Sequence, residues 1–60
     1  MDDKKLTILL ADDQKIITES LSAYLTNYAD DLLIVGIAAN GREAVNMVHE
    51  RQPDIILMDV

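Results

Sequence analysis

Sixty residues make one domain or part of one, and a chain of this length buries only about 60% of its unfolded surface. Half the residues are hydrophobic, which excludes simple disorder, and the absence of cysteine excludes disulfides, thiolate zinc sites and thiol nucleophiles. Five Lys and Arg against eleven Asp and Glu give a net charge of −6, which repels nucleic acid and anionic membrane, so any DNA contact is expected from another domain.

The chain opens on Asp2 and Asp3, which are expected to be solvated, and its first apolar run is six residues long. That pattern is neither a signal peptide nor a membrane span of roughly 18 apolar residues, and a cytoplasmic location is expected. Leu6 to Ala11 is a near-continuous apolar run, as a strand covered on both faces requires. Asp12-Asp13 ends it, and Asp13 is the expected N-cap of the helix that follows. Lys15 to Tyr28 repeats at helical spacing with Ile17, Leu21, Tyr24, Leu25 and Tyr28 on one stripe, so both tyrosines are expected in the core.

Asp30-Asp31, another solvated pair, breaks the pattern before a second strand, Leu32 to Ala38. Asn40 and Glu43 then form a capping box for a helix whose predicted apolar face is Ala44, Val45 and Val48. Pro53 stops that helix after Arg51-Gln52. His49, near its end, is a lone histidine with no ligand partner, favoured there by the helix dipole. A third strand is predicted over Ile55 to Asp59. Gly36 and Gly41 make no dinucleotide fingerprint, because no G-x-G-x-x-G follows the first strand.

The order is βαβαβ, an α/β class in which strands separated by helices form a parallel sheet. With right-handed crossovers, strand order 2-1-3 puts the helices on opposite faces and makes strands one and three neighbours. It then brings Asp12, Asp13 and Asp59 to one carboxyl edge. Order 1-2-3 would leave Asp59 about two strand spacings of 4.8 Å away. The apolar pattern does not choose between them; the carboxylates favour 2-1-3. Three such carboxylates repel one another, and a hard divalent cation such as Mg²⁺ relieves this while admitting a phosphate. A carboxylate at the strand tip, Asp59, can then act as a nucleophile toward phosphorus.

The Asp12-Asp13 pair, the helix start Asn40-Gly41-Arg42-Glu43-Ala44 and the run Pro53 to Val60 together resemble the first half of a bacterial response-regulator receiver domain. The spelling around Ile34-Val35-Gly36 and Asn40-Gly41 is most similar to the NarL-type branch, whose members are DNA-binding transcription regulators. The resemblance spans essentially the whole chain, and four motifs in the correct order and spacing are strong where any one is weak.

It implies a truncated flavodoxin-like fold, the order 2-1-3-4-5 that the two-component protein CheY also shows. It implies that Asp59 accepts phosphate from a sensor histidine kinase, that Asp13 ligates Mg²⁺ directly, that Asp12 does so mostly through water, and that Asp59 is ligand as well as acceptor. A receiver is a regulatory domain rather than an enzyme. Two alternatives remain: a dimerisation or binding module of receiver fold, and a Mg²⁺-dependent phosphotransferase of another α/β family. The intact acids argue against the first, and Gln14-Lys15 lacks the second acid or Thr that the other expects.

The departures are equally specific. The resemblance implies a backbone-carbonyl metal ligand two positions past the acceptor, a Thr or Ser on a fourth strand and a Lys on a fifth. The chain stops at Val60, and Lys4, Lys5 and Lys15 stand in the wrong places to substitute. Residues 1–60 are therefore expected to be the N-terminal half of a receiver, with any DNA-binding output domain elsewhere. Self-association through the apolar third strand is also expected.

Overall fold

The computed structural model describes residues 5–59; Asp2, Asp3, Lys4 and Val60 lie outside the described residues. Its elements are β1 (Leu6–Ala11), α1 (Lys15–Tyr28), β2 (Leu32–Ala38), α2 (Gly41–Arg51) and β3 (Ile55–Met58). The sheet is parallel in the order β2-β1-β3. The predicted βαβαβ order and the 2-1-3 arrangement are both observed.

β1 is the centre because its run is apolar except for Thr7 and both neighbours bond to it. Ile8, Leu9, Leu10 and Ala11 are all buried. Side chains alternate along a strand, and the two faces of β1 take different helices. Leu9 and Ala11 cluster with Ala38 and with Ala44 of α2, with Met47 and Val48 packed against them. Leu10 instead lines a groove with Ile17, Thr18 and Leu21 of α1 and Leu57 of β3. The helices thus cover opposite faces.

β3 is an edge strand. Its four apolar side chains, Ile55 to Met58, are between 36% and 49% exposed. It ends at Met58 rather than at the predicted Asp59. The Asp59 N–H nevertheless donates to the Ala11 carbonyl at 3.0 Å, extending the ladder one bond past the strand.

β2 carries a bulge. Ile8 pairs with Ile34 and Leu9 with Gly36, leaving Val35 as the extra residue. The Val35 carbonyl accepts from Arg51 Nη1 in the last turn of α2. Beneath that helix a Cβ on Gly36 would lie 2.9 Å from Arg51 Nη1 and 3.0 Å from both Leu9 Cδ1 and Met47 Sδ. Glycine is the residue that lets β2 and α2 approach so closely.

Two helix faces differ from expectation. On α1 the fully buried residue is Thr18, and Tyr24 and Tyr28 are 60% and 76% exposed rather than core. The buried stripe is rotated to Thr18, Leu21 and Leu25, the Thr18 hydroxyl being satisfied by the Lys15 carbonyl at 3.0 Å. The tyrosines flank that stripe and stack on each other, ring centroids 4.9 Å apart. On α2, Val45 is exposed and Met47 takes its place beside Ala44 and Val48. Its C-cap is Gln52, at φ 47° and ψ 61°, a left-handed turn that breaks the helix just before Pro53.

Candidate functional site

The carboxyl edge of the sheet is built from three chain exits. Asp12 follows β1, and its N–H donates to the Ala38 carbonyl at 3.1 Å. Ala39 and Asn40 follow β2, and Asp59 follows β3. Asp12, Asp13 and Asp59 all line one cleft of about 430 Å³, together with Gln14, Ala39, Asn40, Gly41 and the ends of β1 and β3. The three predicted aspartates therefore share one edge, as the 2-1-3 order requires.

Local hydrogen bonds decide how they stand there. Asp12 is half-buried, and its Oδ1 accepts from the Gln14 N–H at 2.9 Å, an Asx turn that starts the exit from β1. Asp13 is exposed and is not the N-cap of α1. That position is Gln14, which makes no side-chain cap; its own N–H donates to Asp12 Oδ1. Asp59 is exposed at the tip of β3.

The other wall is the start of α2. Asn40 Oδ1 accepts from the Glu43 N–H at 2.9 Å, the predicted cap. Glu43 Oε1 reaches back to the Ala39 N–H at 2.8 Å, one residue upstream of the Asn40 N–H that a capping box would use. This fixes the β2–α2 turn as a rigid lip of the cleft. Asn40 and Gly41, expected only as a helix start, also line the site. The Asn-Gly pair at a strand exit was the available signal. His49 and Asp30 do not line the cleft.

Among the described residues, no three His, Cys, Asp or Glu side chains stand so that they could hold one metal ion together. The aspartates share the cleft without forming a closed cage. Their chemistry still fits Mg²⁺, a hard ion that typically takes one or two carboxylates and fills its remaining positions with water and phosphate oxygens. Asp12 keeps Oδ2 for such a role while Oδ1 holds the turn.

Comparison with known proteins identifies the family. Residues 8–60 match the family described as the response regulator receiver domain. The chain is 38% identical over 55 residues to the transcriptional regulatory protein DesR of Bacillus subtilis (strain 168), covering 92% of this chain and 27% of that protein. It is likewise 38% identical over 55 residues to the response regulator protein VraR of Staphylococcus aureus (strain Mu3 / ATCC 700698), covering 92% of this chain and 26% of VraR. The chain thus spans about a quarter of the length of the curated relatives it matches. No solved structure matches.

Proposed function

The chain belongs to the response regulator receiver domain family, and from that membership we propose that it is a phosphoryl-accepting receiver in which Asp59 is the acceptor. The observation that carries the reading is the shared cleft: Asp59 at the tip of β3 faces the same space as Asp12 and Asp13 at the end of β1. A structural helix cap or an ordinary polar strand end would need only one of these acids there.

The donor is a phosphohistidine of a sensor kinase. A carboxylate oxygen of Asp59 forms the new bond to phosphorus, the phosphorus–nitrogen bond breaks, and its electron pair returns to the imidazole. Asp59 suits this role because it stands exposed at the end of a strand, where a donor side chain can approach in line. One or two of Asp12, Asp13 and Asp59 would hold Mg²⁺ directly, the others acting through its coordinated water. When bound, the ion supplies positive charge against the phosphoryl oxygens, which a −6 chain would otherwise repel. The Asx turn on Asp12 and the Asn40–Glu43 bonds keep both walls of the cleft in place, so little reorganisation accompanies binding.

The relatives include a transcriptional regulatory protein. We propose that the protein carrying this chain regulates transcription in the cytoplasm, touching DNA through a segment outside these residues. No helix among the described residues is long and apolar enough to cross a membrane.

The test is Asp59→Asn in the intact protein, labelled from acetyl phosphate. The amide keeps the shape of the side chain but has no nucleophilic carboxylate. Hydroxylamine-labile incorporation should disappear. Incorporation at the wild-type level would move the acceptor to another residue.

A further inference from the structure

β3 carries no pattern that fixes its own register. Ile55, Ile56, Leu57 and Met58 are apolar in succession. Sliding the strand by one residue along β1 exchanges Ile for Ile, Ile for Leu and Leu for Met, swaps of nearly equal volume. Yet that slip turns every side chain to the other face and carries Asp59 about 3.3 Å along the sheet. Hydrophobic burial alone leaves the two registers close in energy, and the position of Asp59 in the cleft depends on which one forms.

The contacts that tell the registers apart lie at the other end of the strand. Asp54 Oδ2 accepts from the Thr7 N–H at 2.9 Å and from the Thr7 hydroxyl at 3.1 Å. In return the Asp54 N–H donates to Thr7 Oγ1 and to the Thr7 carbonyl, each at 2.9 Å. A slipped strand would put Ile55 or Pro53 opposite Thr7, and neither has a side chain that can accept. By contrast, the Asp59 N–H bond to Ala11 is backbone to backbone, and any residue but proline can make it. From Thr7 and Asp54 the ladder runs through Ile8 with Ile55, Leu9 with Ile56, Leu10 with Leu57 and Ala11 with Met58, then reaches the cleft.

We propose that Thr7 and Asp54 are positioning residues: their reciprocal bonds set the register of β3 on β1 and so hold Asp59 opposite Asp12 and Asp13. Neither residue lines the cleft. The functional half of this statement rests on Asp59 being the acceptor; the register half does not.

The experiment compares Asp54→Ala and Thr7→Val with the conservative Asp54→Asn and Thr7→Ser in the intact protein. Val48→Ala, a core substitution touching neither residue, serves as the control for lost stability. Two readouts are taken: backbone NOEs between Leu9 and Ile56, and Mg²⁺ affinity. The first two variants should weaken or split the Leu9–Ile56 contact into two resonance sets and weaken Mg²⁺ binding, because a slipped strand carries Asp59 about 3.3 Å along the sheet. Asp54→Asn and Thr7→Ser should restore both readouts, and Val48→Ala should move neither. A single wild-type register with wild-type Mg²⁺ affinity in Asp54→Ala and Thr7→Val overturns the proposal, and so does an equal Mg²⁺ loss in Val48→Ala. Thr7→Val is the milder variant, since the backbone N–H of residue 7 still reaches Asp54, and it decides the matter where Asp54→Ala does not fold. If Asp59→Asn retains labelling, the acceptor reading falls while the NOE result still judges the register.

Discussion

Gly36→Ala adds one methyl group where β2 passes under α2, and two effects of opposite sign compete there. Among the described residues no glycine has a positive φ, so alanine can adopt the backbone of Gly36 without strain. Restricting the unfolded chain would then stabilise by about 0.4–1 kcal/mol. Against this, the new Cβ would stand 2.9 Å from Arg51 Nη1 and 3.0 Å from Leu9 Cδ1 and Met47 Sδ. The Arg51 end can swing away, at the cost of its bond to the Val35 carbonyl. Leu9 cannot, because it is fully buried against Ala11, Ala38 and Ala44. Overpacking of this kind costs about 1–3 kcal/mol, so the packing effect wins and the net loss is about 1 kcal/mol. For a domain of this size that lowers Tm by about 4–8 °C. Thermal and urea unfolding should be followed at one fixed protein concentration, since association shifts apparent stability. Shortening Met47 should relieve part of the clash, so Gly36→Ala should cost less in a Met47→Ala background, with a coupling of about 0.5 kcal/mol or more. A Gly36→Ala variant as stable as the parent, or more stable, would refute the reasoning and mean that α2 rides higher over β2 than the contacts indicate.

Asp13→Ala should abolish Mg²⁺ binding measured by titration, while Asp30→Ala, outside the cleft, should leave it unchanged; equal losses would mean diffuse attraction to an acidic chain. Asn40→Ala removes the acceptor of the Glu43 N–H and should cost about 1 kcal/mol in denaturant unfolding; no measurable loss would show that the cap is made by water instead. The isolated 60-residue polypeptide should self-associate through β3, because a row of half-exposed apolar side chains on an unpaired edge is a template for another chain. Sedimentation at micromolar concentration should find dimers or larger species, and Leu57→Lys should return them to monomer. A compact monomer that unfolds cooperatively would end that expectation.

Period and punctuation made the elements legible. The apolar run ending at Asp12, the Asn40 cap and Pro53 each mark a boundary through local backbone chemistry, and that chemistry acts the same way in a peptide as in the fold. The strand order was legible only through the acids, since an apolar strand looks the same beside either neighbour. What failed were statements about which way a side chain turns. α1 carries more apolar residues than one face can hold, so counting them favoured Tyr24 and Tyr28, while the face turned to the sheet buries Thr18. Asp13 looked like a cap, but the helix begins one residue later, with the Ile17 and Thr18 N–H groups on the Gln14 carbonyl, so the cap position falls to Gln14.

The Thr7–Asp54 contact shows the deeper limit. Each residue alone is unremarkable: one hydroxyl inside an apolar strand, and one acid after a proline. They are 47 positions apart, and their bonds exist only once β3 lies beside β1. Still, Thr7 was a signal of a kind. It is the one polar residue inside the run from Leu6 to Ala11, and a polar side chain in a central strand needs a partner. In a 2-1-3 sheet that partner must come from the strand beside it, and Asp54 is the first residue after Pro53 able to supply one. The same reasoning that brought three aspartates to one edge, applied to the opposite edge, leads to the contact that sets where Asp59 stands.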